Sequence, residues 1–172
     1  MDVDQESRRL EDLMDEVKRT RQGKEVVNVE EEKVKIVLFR LGGKAFAFPG
    51  SDIKEILSGC DIHSVPALPE FLPGLINVRG DIESAVDIAC FLGCDRQSGG
   101  KALIAMVEKG DFRSGVIIDA VEDVTDIPQS CIHPPLATLD GPVRDLVAGE
   151  IAWEGRTATL LDIEKLAAKV TL

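Results

Sequence analysis

The stretch Gly74-Leu75-Ile76-Asn77-Val78-Arg79-Gly80-Asp81-Ile82, continued by Val86-Asp87-Ile88, decides how this chain is read. Two β-rich runs, Leu75–Val78 and Ile82–Val86, flank Arg79-Gly80-Asp81, so the segment reads as a hairpin. Asp87 then stands where an N-cap belongs, ahead of a short helix over Ile88–Leu92 that Gly93 ends. The same order of events returns 75 residues later: Gly74 falls on Gly149, Ile76 on Ile151, Gly80 on Gly155, Val86 on Leu161, Asp87 on Asp162 and Ile88 on Ile163.

Upstream the match continues at an offset of 68, with Gly42 on Gly110, Ile53 on Val121, Glu55 on Asp123, Ile56 on Val124 and Pro66 on Pro134. Each half therefore reads as hairpin, acidic-apolar segment, proline loop, hairpin and Asp-capped helical turn, the mark of an internal duplication. The opening hairpin of the first half joins Val34–Leu41 to Ala45–Phe48 through Gly42-Gly43. Its counterpart joins Ala102–Val107 to Ser114–Ile118 around Lys109-Gly110-Asp111, after a Gln97-Ser98-Gly99-Gly100 loop. Such short strands close best as small barrels, because closure removes exposed sheet edges. The expected fold is mainly β, with two related five-stranded barrels over about 34–98 and 99–166 and a short C-terminal helix. Barrels side by side bury a shared interface and leave a groove suited to a helical partner.

Residues 1–33 differ in kind, with 11 acidic and 7 basic side chains. Leu10, Leu13, Met14 and Val17 keep helical spacing, so about Asp4 to Arg21 reads as an amphipathic helix, its stripe too short for an independent coiled coil. Such a segment serves either as a solvated tail or as a docking helix. The whole chain carries a net charge of −11 without a basic stripe, which disfavours nucleic acid as a partner. The start, Met1 to Glu6, lacks the basic and apolar regions of a signal peptide, and no apolar run is long enough to span a membrane. The expectation is a cytoplasmic protein without direct membrane insertion, whose cysteines Cys60, Cys90, Cys94 and Cys131 are reduced.

Catalytic templates find no match. Gly42-Gly43-Lys44-Ala45 and Gly99-Gly100-Lys101-Ala102 lack the Ser/Thr and the earlier Gly of a phosphate loop. Ser64 beside His63 would point to the opposite face of a strand. Cys90 and Cys94 have no second pair to complete a zinc site, and Glu122, Asp123 and Asp126 read as a solvated edge. The expectation is a protein that is not an enzyme, with no cofactor and no metal.

Gly74 to Ile82 with Val86-Asp87-Ile88 resembles the CheW family of bacterial chemotaxis coupling proteins, whose pattern here is Gly-x-Ile-Asn-Leu-Arg-Gly-x-Ile-x-Pro-x-x-Asp-Leu. Phe39-Arg40-Leu41-Gly42, Ile53-Lys54-Glu55-Ile56, Pro69 to Gly74 and Gly115 to Val121 support the resemblance, which runs from about Val34 to Leu166. It implies two SH3-like five-stranded barrels without catalytic activity or cofactor. It also implies a bridge between methyl-accepting chemoreceptors and a CheA-type histidine kinase in membrane-associated arrays. By carry-over, the receptor-facing residues are Ile53, Glu55, Ile56, Val78 and Arg79, while the kinase-binding residues stay unassigned. Arg79 at a turn can make a bidentate contact to a partner carboxylate or simply serve the turn; Ile53, Ile56 and Val78 can serve as core or as contact.

Glu83, Ser84 and Ala89 depart from the family pattern, which has an apolar residue, Pro and Arg there, and Phe46-Ala47-Phe48 stands where Tyr-Gly-Ile is common. These departures and the charged tail keep open an accessory adaptor of another chemosensory pathway, such as a type IV pilus or gliding system. Between the halves, Arg79 is replaced by Glu154, so equivalent turns carry opposite charge.

Overall fold

The computed structural model describes residues 30–96 and 103–171, together with Asp15. The chain divides into two units, Met1–Glu32 and Lys33–Leu172. The helix expected over Asp4 to Arg21, except for exposed helical Asp15, and the loop Gln97–Gly100 lie outside the described residues. The second unit carries everything that follows.

Its described residues form eleven strands: β1 (Lys33–Leu41), β2 (Lys44–Pro49), β3 (Ile53–Ser58), β4 (Gly74–Val78), β5 (Asp81–Val86), β6 (Leu103–Lys109), β7 (Phe112–Ile118), β8 (Ala120–Pro128), β9 (Ile132–His133), β10 (Val147–Trp153) and β11 (Arg156–Leu161). The described residues also form three short α-helices, α1 (Ala89–Leu92) and α2 (Gly141–Arg144) between strands and α3 (Ile163–Val170) after the last one. The three expected hairpins are present as β1–β2, β4–β5 and β6–β7, and the repeat of the second appears as β10–β11.

The strands form two curled sheets, in the orders β8-β1-β2-β11-β10-β9 and β3-β6-β7-β5-β4. We call them the first and second sheet. The halves of the sequence do not each build one barrel, so the division at about residue 98 is corrected. Each sheet takes the opening hairpin of one half and the later strands of the other. The repeat shows which strands are equivalent; it is silent on whether they pair within a copy or between copies. The exchange is reciprocal down to register. Leu41 faces Lys44 in β1–β2 as Lys109 faces Phe112 in β6–β7. Both β1–β8 and β3–β6 carry a bulge at the equivalent place, between Leu38 and Phe39 and between Ile53 and Glu55. The first sheet has a sixth strand, the two-residue β9, beyond the five expected.

Alternation of side chains along the shared strands separates three cores. Ile36, Leu38, Ile127, Ile151 and Leu160 fill the first sheet, and Ile76, Val78, Ile104, Met106 and Ile117 fill the second. The largest core lies between the sheets, where Phe39, Phe46 and Phe48 meet Val107, Val116 and Ile118. Phe39 and Phe48 stack at 4.7 Å between ring centres, a pairing worth about 1 kcal/mol beyond its buried area. Asp87 and Asp162 hold the helices over this core. The Asp87 carboxylate accepts from Ala89 N–H at 3.0 Å, and Asp162 accepts from Glu164 and Lys165 N–H at 2.9 and 3.2 Å. Gly93 closes α1 in the left-handed conformation at φ 61°.

Candidate partner-binding turns

The β4–β5 turn is two residues long, with Val78 facing Asp81 across it. Both turn residues have positive φ, 54° at Arg79 and 98° at Gly80. That is the mirror-image turn whose twist suits a tight hairpin, normally made by Asn-Gly or Gly-Gly. Asn77 stabilises it by accepting the Gly80 N–H at 2.8 Å. A β-carbon is disfavoured in this backbone region by about 1–2 kcal/mol, so an arginine kept there draws attention to its side chain.

That side chain closes the second sheet. β3 and β4 are its two edges, yet the Arg79 guanidinium reaches across to Glu55 with two parallel hydrogen bonds, 3.2 Å to Oε1 and 2.7 Å to Oε2. The fork-to-fork geometry gives this pair more definition than a single contact. Arg79 remains 78% exposed and Glu55 only 23%, so the carboxylate is the fixed partner and the guanidinium its outward cover.

The five residues carried over by resemblance do not share one face. Glu55 and Arg79 come together. Ile56 is exposed on the outer side of β3, whereas Ile53 is half-buried against the central core. Val78 is 4% exposed and packs under the turn in the core of the second sheet, so its side chain offers a partner no surface; this corrects its reading as a contact. The exposed apolar residue beside the turn is Ile82, at 63%, which sequence reasoning passed over. Its position just after a charged turn, in a strand otherwise turning inward, was the available signal.

The departures from the family pattern face inward. Glu83 pairs with Arg113 Nε on β7 at 2.9 Å, and its side chain is only 16% exposed. Ser84 Oγ lies 2.7 Å from the Oγ of fully buried Ser114, which also donates to the Ser84 carbonyl at 3.1 Å. Ala89 is buried against the central core. Each has a neighbour that explains it. Among the described residues no group of three or more His, Cys, Asp or Glu is placed to hold a metal ion. Burial, reinforced by Asp87, pushes the Cys90 thiol up from its ordinary value, and burial does the same to Cys94.

The equivalent turn of the first sheet, β10–β11, has the same backbone, with φ 48° at Glu154 and 72° at Gly155. Its chemistry is inverted. Glu154 and Asp123 are the counterparts of Arg79 and Glu55 in the repeat, and among the described residues neither has a basic partner. Instead Glu122 on β8 approaches Arg40 and Arg156, each at 3.8 Å.

The CheW-like domain family matches residues 35–171 of the chain. The chain is 26% identical over 141 residues to the chemotaxis protein CheW of Thermotoga maritima, covering 82% of this chain and 92% of that one. It is 27% identical over 112 residues to protein PilI of Pseudomonas aeruginosa, covering 64% and 63%. Among solved structures it resembles the scaffolding protein TtCheW of Thermoanaerobacter tengcongensis, with TM-score 0.68 and 28% identity over 76% of this chain and 90% of that one. With two SH3-like sheets, outward-facing charged turns and a match over nearly all of the second unit, the chain belongs to the CheW-like domain family of non-enzymatic chemotaxis adaptors.

Proposed function

We propose that this adaptor couples the cytoplasmic tips of chemoreceptors to a CheA-type histidine kinase in membrane-associated arrays, and that the Arg79 turn is its receptor-facing surface. The observation that carries the reading is the bidentate Arg79–Glu55 pair, held by a strained turn at the closure of a sheet with Ile56 exposed on the adjoining strand. A guanidinium anchored by one carboxylate keeps donors available to a second, which suits a helix presenting an acidic residue beside an apolar one. Ile53 supports β3 from the core side, and the kinase-facing residues are unassigned.

Co-sedimentation of the full chain with receptor signalling fragments and kinase tests the proposal. Arg79→Glu should weaken recruitment at least tenfold with only a small change in melting temperature, since the guanidinium is 78% exposed and a surface ion pair contributes little to stability. Undiminished recruitment, or unfolding in place of lost binding, would make Arg79 a purely structural residue.

A second reading, an accessory adaptor of a pilus or gliding pathway, is favoured by the likeness to PilI. The departures at Glu83, Ser84 and Ala89 add nothing to it, because all three are answered by internal neighbours. A pull-down that recovers a pilus-pathway kinase in place of a chemotaxis kinase would decide for it.

A further inference from the structure

Among the described residues a single charged residue is buried, Asp52, at 5% exposure. It ends the 3-10 turn Gly50–Asp52, by which the chain leaves β2 of the first sheet and enters β3 of the second. Its carboxylate accepts from Lys109 Nζ, at 3.2 Å on Oδ1 and 3.4 Å on Oδ2, and from Ser51 Oγ at 3.2 Å. Lys109 is the last residue of β6, the strand with which β3 pairs. A buried carboxylate needs such a partner, because without one it bears the full cost of leaving water.

The repeat shows that this pair is not a requirement of the fold. At the offset of 68, Asp52 falls on Ala120 and Leu41 on Lys109. Leu41 is fully buried in the central core, so apolar packing serves the same place in the first sheet. The ladders differ there too. β8 and β1 pair one step past Val121–Phe39, at Ala120–Arg40, whereas β3 and β6 stop at Ile53–Val107. The Asp52–Lys109 link stands where that last backbone pair is missing. Past Ile53 comes the bulge, which interrupts the ladder before Glu55. Ile53–Val107 is thus a lone step between a missing pair and a bulge. The other ion pair across these strands, Lys54 to Glu108 at 3.7 Å, is exposed at both ends and contributes little.

We infer that Asp52 and Lys109 are positioning residues for the partner-facing strand. Their pair sets where β3 enters the second sheet, and with it where Glu55 holds Arg79 and where Ile56 stands exposed. The inference rests on the reading of the Arg79 turn as the receptor-facing surface. Charged hydrogen bonds are directional and favour one arrangement, whereas apolar side chains accept several. Replacing such a pair by apolar residues is often neutral for stability, so what the pair contributes here is the arrangement.

The test is Asp52→Ala with Lys109→Leu, which installs the residues of the other half. The melting temperature should stay close to that of the wild type. Amide hydrogen exchange of the full chain, read by mass spectrometry, should quicken about tenfold over Ile53–Ser58, the scale of one charged hydrogen bond lost from a local opening. Protection of β1 and β7 should not change. Co-sedimentation with receptor signalling fragments should weaken about threefold or more, as the competent arrangement becomes a fraction of the whole. Lys109→Arg, which keeps the cation, should behave as wild type in all three measurements. If the double variant fails to fold, Asp52→Asn with Lys109→Gln takes its place, keeping size and removing both charges, with the same local quickening expected. A lowered melting temperature with faster exchange throughout would make the pair merely stabilising and overturn the inference. Wild-type protection of β3 would overturn it whatever the receptor result, as would a loosened β3 with full recruitment where Arg79→Glu recruits poorly. If Arg79→Glu recruits as wild type, the receptor reading is what has failed, and exchange at β3 still decides the positioning role.

Discussion

Arg79 occupies a backbone conformation that suits glycine, and it is held there by two hydrogen bonds to one carboxylate. Arg79→Ala keeps the strain and loses the pair, so a stability loss of up to about 1 kcal/mol is expected in urea unfolding. A different residue-scale demand falls on Gly74 and Gly149. A β-carbon at Gly149 would lie 2.6 Å from the His133 carbonyl oxygen, and at Gly74 it would meet the equivalent carbonyl of His63. Backbone cannot yield as a side-chain tip does, so Gly149→Ala should cost about 2 kcal/mol or more by the same measurement. Cys90 is a free thiol on an exposed residue, and the partial burial of its sulfur beside Asp87 raises its pKa, so it stays protonated through neutral pH. Alkylation followed by mass spectrometry should be slower than for a free cysteine at pH 7 and accelerate above the ordinary thiol range. The hairpin glycines were legible in sequence because turn chemistry is local. The split between buried Val78 and exposed Ile56 was not, because it depends on how the edges of a sheet curl towards each other.

Among the elements, α3 is the one whose anchoring can be tested most directly. Asp162 takes two of its free N–H groups, and Ile163 and Leu166 pack into the central core. Asp162→Ala should lower stability by about 1 kcal/mol while leaving the fold intact. Its expected counterpart at Asp87 caps the shorter α1 and also pairs with Arg96 at 3.0 Å, so the same substitution there should cost more. Thermal melts of the two variants compared side by side check the order. Strand β5 shows what element-level reading missed. Glu83 and Ser84 looked like departures awaiting a partner protein, but their partners are Arg113 and Ser114 on β7, each thirty residues away in sequence. Pairing between strands of different halves carries no local signature.

For the molecule as a whole, the reciprocal division of strands makes the second unit a single cooperative body. Neither sheet can form from one half, because each takes its opening hairpin from one half and its later strands from the other. Residues 1–99 and 100–172 made separately should therefore show little β structure by circular dichroism, and mixing them should restore it. Two independently folded barrels would instead give two native-like spectra that mixing leaves unchanged. The duplication was legible because glycines, capping aspartates and strand patterns recur in order; the partition was not, for the reason seen in the register.

The exchange also fixes how this fold responds to dilution. Two free halves exchanging strands would be an assembly governed by mass action, coming apart as concentration falls. Joined in one chain, each half meets its complement at an effective concentration set by the connecting segment, in the millimolar range for a short linker. The scaffold is in this sense an obligate dimer in covalent form, with no dissociation constant of its own. Freed from identical symmetry, its two equivalent turns could diverge in charge, Arg79 against Glu154, without dissolving the contact that holds the two sheets together.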